Sequence, residues 1–287
     1  MSVERNIPPP GTPDPGGSGP PAAGSRRARI TAHPVMALLI PLISLTWLAQ
    51  CLAIWLLGDI TPGLIVELVL LLGLSVLVTA AANGRAGIKR LFGGVVRWRV
   101  GAGWYVVALV AVPALTLLAA AVTGTLREPG QGWAAAVGLY LVQAVVIGAL
   151  LGNVWEELAW AGVVQRRLME RRGVLTGSLL TAIPFALIHL PQAFADRGFA
   201  ATPWTSVAIS WGILFGFALV LRYLMGMVYS ETGGSILILG LLHGSMNASG
   251  RLDPVDGGWQ YIPALVVLMV VVAVYRAARS RAAAVVV

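Results

Sequence analysis

Eight stretches of mostly apolar residues follow one another along the chain, each close to the length of helix that crosses a lipid bilayer. They run at about 35–57, 64–82, 103–124, 133–159, 174–190, 204–225, 232–249 and 260–276. A helix rises 1.5 Å per residue, so about 20 apolar residues cross a hydrocarbon core of about 30 Å. Composition agrees with that reading. The chain is 57% hydrophobic and only 11% charged, where a soluble domain carries about 25% charged residues. The expected fold class is therefore all-α, a polytopic transmembrane helical bundle of about eight spans. The fifth and seventh runs are the short or polar ones.

The basic residues are divided unevenly between the two sets of loops. Arg26, Arg27 and Arg29 precede the first run, and Arg85, Lys89, Arg90, Arg97 and Arg99 lie between the second and third. Arg166, Arg167, Arg171 and Arg172 separate the fourth from the fifth, Arg222 closes the sixth, and Arg276, Arg279 and Arg281 follow the eighth. With Arg5, this set holds 17 of the 20 basic residues, and the opposite loops hold only Arg127, Arg197 and Arg251. Cytoplasmic loops are the ones enriched in Lys and Arg. The chain is thus expected to be a multi-pass protein of the cell (plasma) membrane with both termini cytoplasmic. Its net charge of +8 is explained by the lipid bilayer as partner, and no nucleic acid is expected, because the Arg residues flank apolar spans and form no soluble patch.

Residues 1–33 are rich in Pro, Gly, Ser and Ala and lack apolar periodicity, so they read as a disordered cytoplasmic tail ahead of a helical domain at 34–282. The first apolar run is of span length and lacks a small-residue cleavage site, which argues against a removed signal peptide. Segment 84–100, GRAGIKRLFGGVVRWRV, mixes basic and apolar residues and reads as an interfacial helix with Trp98 near the headgroups. Cys51 stands alone within a span and reads as a small core residue.

An acid at the centre of a membrane helix costs roughly 2.5–3.5 kcal/mol on the insertion scale, so ionisable groups there face the bundle interior or a wet cavity. Here they gather in three places. The first is NVWEELAWAG, with Glu156 and Glu157 late in the fourth run. Adjacent helical residues point about 100° apart, so the two acids cannot share one face, and two different tasks are expected of them. The second is FALIH, which sets Phe185 and His189 on one face at i and i+4. The third is HGSMN, which does the same for His243 and Asn247. Counting back to basic turns near Gly173 and Val228 puts Glu156, His189 and His243 at similar depth, ~23–26 Å along their helices. One shared polar pocket, opening toward the cytoplasm, is the expectation.

Such a pocket has the parts for hydrolysis. A carboxylate takes a proton from water, a histidine orients that water or ligates a metal, and a second histidine with an amide stabilises an oxyanion. Glu156, His189 and His243 could equally hold zinc, although the HExxH helix of the common zinc proteases is absent. Plainer readings stand beside these. The two glutamates could mark an interfacial helix end. His189, next to Leu190-Pro191, could merely bond a backbone carbonyl. His243 and Asn247 could serve as interhelical hydrogen bonds beside the small residues Gly240 and Gly244. Phe185 reads as core, and Glu67 as an isolated, cavity-lining acid.

Together the three stretches resemble the CAAX protease and bacteriocin-processing family of intramembrane proteases, which includes the Ras-converting CAAX endopeptidase and the lysostaphin-resistance type of bacterial protein. The family pattern is EExxxR, then FxxxH, then HxxxN or HxxxD, on separate membrane helices; EELAWAG, FALIH and HGSMN stand in that order within residues 133–250. The resemblance implies peptide-bond hydrolysis within the membrane, acting on a membrane-associated protein or peptide. It implies Glu156 as the base activating water, His189 as its assistant, and His243 and Asn247 as the oxyanion site. Glu157 and Phe185 would be supporting residues. The rival reading within the family is a metalloprotease with zinc on the same Glu156, His189 and His243, so no cofactor is fixed. One departure stands out: the family arginine is Ala161 here, which leaves Glu157 protonated or paired with another cation, Arg222 or Arg166. Two other functions remain open. A non-catalytic scaffold or immunity-type protein on the same fold is favoured by Ala161, and an ion-coupled transporter would use the acids as a relay.

Overall fold

A computed structural model describes residues 26–285, and among them every element is helical apart from an isolated bridge between Leu126 and Val255. Helix α1, Arg26–Ala32, is short; α2 is Pro34–Leu57 and α3 is Thr61–Val95. Helix α4 covers Ala102–Val122 and α5 covers Trp133–Arg172. Then come α6, Val174–Ile188, α7, Trp204–Glu231, α8, Ile236–Ser249, and α9, Tyr261–Val285. The chain is a multi-pass membrane protein: seven of these helical stretches are long and apolar enough to cross a bilayer, α6 when taken with the 3-10 turn that carries it on to Phe194, and α8 is a shorter apolar eighth. The bundle expected from the apolar runs is therefore present, with the seventh run as the short member.

Three local expectations change. Most of the tail placed at 1–33 lies outside the described residues, but Arg26–Ala32 is helical. The second run continues into the basic segment, with Gly84 at φ 59°, ψ −158° breaking the direction of α3 before it resumes to Val95. A residue with a side chain resists that positive φ, so Gly84 sets the angle between the span and the basic arm. Trp98 follows the arm and is 60% exposed. Finally, Arg222 does not close the sixth run as a loop cation. Helix α7 continues to Glu231, and Arg222 is fully buried within it.

The two ends of the bundle differ in charge. At one end Arg167 donates to Asn83 at 2.8 Å, the Ser235 hydroxyl donates to the Arg97 carbonyl at 2.7 Å, and Arg276 and Arg279 meet Glu231. At the other end, loop 123–132 is tied to loop 250–260: the Arg127 N–H donates to the Pro254 carbonyl at 3.0 Å, and its side chain pairs with Asp256 at 3.2 Å.

Glycine decides how α8 sits in the centre. A Cβ on Gly240 would come within 2.4 Å of the Val154 side chain, and one on Gly244 would come within 2.3 Å of the Ala144 carbonyl oxygen and 2.8 Å of the Ala149 nitrogen. Bare backbone at both positions lets α8 lie directly on α5, as small residues do in membrane helix pairs. Nearly every residue of α8 is buried. Helix α5 meets it with widened π turns over Val142–Asn153 and again over Trp160–Gln165, the kind of turn often found beside functional sites. Between them sits the short α-helical stretch Val154–Ala159 that carries Glu156 and Glu157.

Candidate active site

The close approach of α8 to α5 puts the HGSMN stretch against the glutamates. The His243 Nδ1 lies 2.9 Å from a Glu157 carboxylate oxygen. A carboxylate only accepts, so Nδ1 carries the proton and donates it, leaving Nε2 for the cavity. Asn247 joins the other glutamate through an intermediary: its Nδ2 donates to the Asn153 Oδ1 at 3.3 Å, and the Asn153 Nδ2 donates to Glu156 at 3.0 Å. The glutamates thus have separate partners, as their 100° separation requires.

Glu157 is held by an ion pair inside the bundle. Arg222 Nη1 and Nη2 donate to its two carboxylate oxygens at 2.8 and 2.9 Å, and both side chains have zero exposure. Gln165 completes the arrangement. Its carbonyl oxygen accepts from Arg222 Nε at 3.0 Å, and its amide donates to the Ser178 hydroxyl at 2.9 Å and the Arg222 carbonyl at 2.6 Å. Forked donors facing both carboxylate oxygens make the strongest kind of charge-assisted pair. Of the two cations considered for Glu157, Arg222 is the partner; Arg166 pairs with Glu170 at 2.7 Å instead. Ala161, where the motif pattern places its arginine, is 1% exposed in the core. The missing cation is supplied from α7.

His189 follows the last residue of α6, where four carbonyls lose their helical partners. Its Nδ1 lies 2.6 Å from the Phe185 carbonyl, and because a carbonyl only accepts, Nδ1 is protonated and Nε2 is the free acceptor. Trp211 donates to the Ala186 carbonyl at 3.1 Å and Trp47 to that of Leu187 at 3.0 Å, which fixes the same helix end. The plain reading of His189 therefore describes one ring nitrogen and leaves the other unassigned. Phe185 touches more than core. Its ring centroid lies 4.9 Å from that of His189 and 6.2 Å from that of His243, Trp160 meets it edge-on at 5.4 Å, and the Arg222 guanidinium stands 5.2 Å from its centre.

Glu156, His189, His243, Asn247 and Phe185 all line one cavity of about 920 Å³, and Glu67 lines it too. The Glu67 carboxylate accepts from Gln50 Nε2 at 2.7 Å. Two expectations about depth need correction. The turn before α8 is at 232–235 rather than near Val228, because α7 runs on to Glu231. The cavity also runs away from the basic loops, not toward them. Its lining includes Leu64 near the start of α3, Leu139 near the start of α5, and Arg251 and Asp253 beyond α8.

Residues 138–249 match the family model described as type II CAAX prenyl endopeptidase, Rce1-like. This segment is similar to that family. The resemblance drawn from the three motifs is borne out over that segment, which holds all of EELAWAG, FALIH and HGSMN. No curated protein matches the sequence.

The matched segment does not assemble a ready metal site. Among the described residues, no group of three or more His, Cys, Asp and Glu side chains converges as ligands for one ion. Glu156, His189 and His243 share the cavity without forming such a set. Asn153 and Gln165 were not singled out by sequence. Asn153 lies three residues before Glu156 on α5, a spacing that brings side chains together, and this was the one available signal. Nothing in the sequence ties Gln165 to Arg222 across 57 positions.

Proposed function

We propose that the chain is an intramembrane endopeptidase that cleaves a peptide bond of a membrane-associated protein or peptide, with Glu156 as general base. The observation that carries this reading is the convergence of Glu156, His189, His243 and Asn247 on one cavity, within a segment that matches a family described as endopeptidases. Water in the cavity gives a proton to the Glu156 carboxylate and its second hydrogen bond to His189 Nε2. The resulting hydroxide attacks the scissile carbonyl carbon. The developing oxyanion takes hydrogen bonds from the second Asn247 amide hydrogen and from His243 in its doubly protonated form, the form a Glu157 carboxylate at Nδ1 suits. The C–N bond then breaks, Glu156 passes its proton to the leaving amine, and the acyl product forms as a carboxylic acid that gives up its proton to solvent. Glu157 is fully buried, does not line the cavity and has both oxygens bound by Arg222 and His243, so it acts by holding His243 in place.

The motif departure at Ala161 counted toward a non-catalytic scaffold. The Arg222 pair removes that argument, since Glu157 has its cation. The test compares new protein termini in membranes of cells carrying the wild type and Glu156→Ala at equal abundance. Termini present only with the wild type support the protease and identify its substrates. Identical termini profiles, with both forms rescuing a deletion phenotype, refute it and leave a scaffold.

A further inference from the structure

The direction of the cavity and the asymmetry of the loops bear on where the substrate comes from. Helix α5 fixes the level of the site. A Cβ on its Gly162 would meet Leu91 in the basic arm at 2.7 Å and Ile236, the first residue of α8, at 3.1 Å. Those residues mark the basic end of the bundle. Glu156 lies six residues from Gly162, ~9 Å along the helix. Most of a hydrocarbon core of about 30 Å therefore lies on the other side of Glu156, and the cavity occupies that side. Its walls rise to Leu64, Leu139 and Ser210, close to the starts of α3, α5 and α7, and to Arg251 and Asp253 in the loop after α8. Arg251 and Asp253 are exposed. All these lie at the end opposite Arg85, Arg97, Arg167 and Arg276.

The cavity also separates two helices. Helix α3 packs on Val154–Ala159 and on Trp160–Gln165 of α5. Nearer the Arg-poor end, Leu64 and Leu68 of α3 and Leu139, Gln143 and Ile147 of α5 face the same open space. Leu64, Leu139 and Ile147 are 38%, 55% and 48% exposed. The gap between the helices therefore widens away from the basic end.

Resting on the endopeptidase reading, we infer that this chain takes its substrate from the extracytoplasmic side, as an extended segment of a membrane-anchored protein admitted between α3 and α5. Loops rich in Lys and Arg stay in the cytoplasm, and the cavity opens at the other end. The segment must reach ~20 Å inward to Glu156, a distance that about six residues of extended chain cover. A prenylated tail presented from the cytoplasm meets the basic loops and the closed end of the bundle.

Sidedness of labelling tests this directly. In a Cys51→Ala background, Gln131→Cys reports the loop before α5, Leu252→Cys the cavity wall, and Arg172→Cys the basic end. Right-side-out and inverted membrane vesicles are treated with a membrane-impermeant charged maleimide. The expected result is labelling of Gln131→Cys and Leu252→Cys in right-side-out vesicles, and of Arg172→Cys in inverted ones alone. Labelling of Leu252→Cys from the Arg172 side, or from neither side, overturns the inference. So does cleavage of a prenylated CAAX peptide supplied only to inverted vesicles. The labelling needs no turnover and is expected to be the same with Glu156→Ala added. An inactive chain would therefore refute the protease reading without changing the answer on orientation.

Discussion

Arg222 holds both carboxylate oxygens of Glu157, at 2.8 and 2.9 Å, from a helix 65 positions away in the sequence. Removing one member of a fully buried pair strands the other charge, at a typical cost of about 3–5 kcal/mol. Arg222→Ala is therefore expected to lower the thermal midpoint in detergent sharply, and Glu157→Ala to do the same. Arg222→Lys keeps the charge and loses the fork together with the Gln165 contact, so it should fall between wild type and Arg222→Ala. Equal midpoints for wild type and Arg222→Ala would show that the pair contributes nothing to the fold.

His189 can be divided by its two nitrogens. Asparagine places its amide nitrogen near the position of Nδ1 and offers nothing at Nε2. His189→Asn should keep the hydrogen bond to the Phe185 carbonyl and so keep stability close to wild type, while losing proteolysis by roughly 10²–10⁴-fold. Unfolding curves and termini profiles on the same preparation check both halves. An active His189→Asn enzyme would remove Nε2 from the mechanism.

Asn153 links Asn247 to Glu156, and it is expected to matter through both. Asn153→Ala should lower the cleavage rate while leaving the protein folded, with a smaller loss than Glu156→Gln. Asn247→Ala, as loss of an oxyanion donor, should cost about 10²–10³-fold in turnover. The order of the three rates, measured on a substrate identified from the termini, is the discriminating quantity. A rate for Asn153→Ala equal to wild type would detach the amide chain from the chemistry.

Glycines of α8 and α7 should respond in opposite ways. Gly244→Val drives methyl groups into the Ala144 carbonyl, and overpacking of this kind costs about 1–3 kcal/mol or more. Around Gly212 and Gly216 of α7 an added Cβ meets nothing within 4 Å. Alanine there should be neutral or stabilising by up to about 1 kcal/mol through helix propensity. Thermal midpoints of Gly244→Val, Gly212→Ala and Gly216→Ala compare the three sites.

The helical bundle was legible because apolar runs near 20 residues long leave few alternatives, and the site stretches were legible because Glu and His are expensive among them. Three things were not. The length of α7 was misjudged because Arg222 looked like a span-ending cation; its partner lies on another helix, and pairing between distant helices leaves no local pattern. For the same reason the depth of His243 was counted from the wrong turn. The direction of the cavity depends on which ends of α3 and α5 diverge, which is a property of helix crossing angles and leaves no local sequence pattern. The i, i+3 relation of Asn153 to Glu156 was present in the sequence, but an asparagine at that spacing is common on any helix.

Helix α8 has 14 residues, ~21 Å of rise, against a hydrocarbon core of about 30 Å. The chain then runs irregularly from Gly250 to Gln260, where Arg251, Asp253 and Asp256 are exposed. Charges of this kind demand hydration. Hydrolysis consumes one water for every bond cut, and a residue as deep as Glu156 would otherwise sit behind an oily barrier to it. On the endopeptidase reading, the shortness of one helix would leave a polar path from the Arg-poor end by which the second reactant is resupplied after each cut.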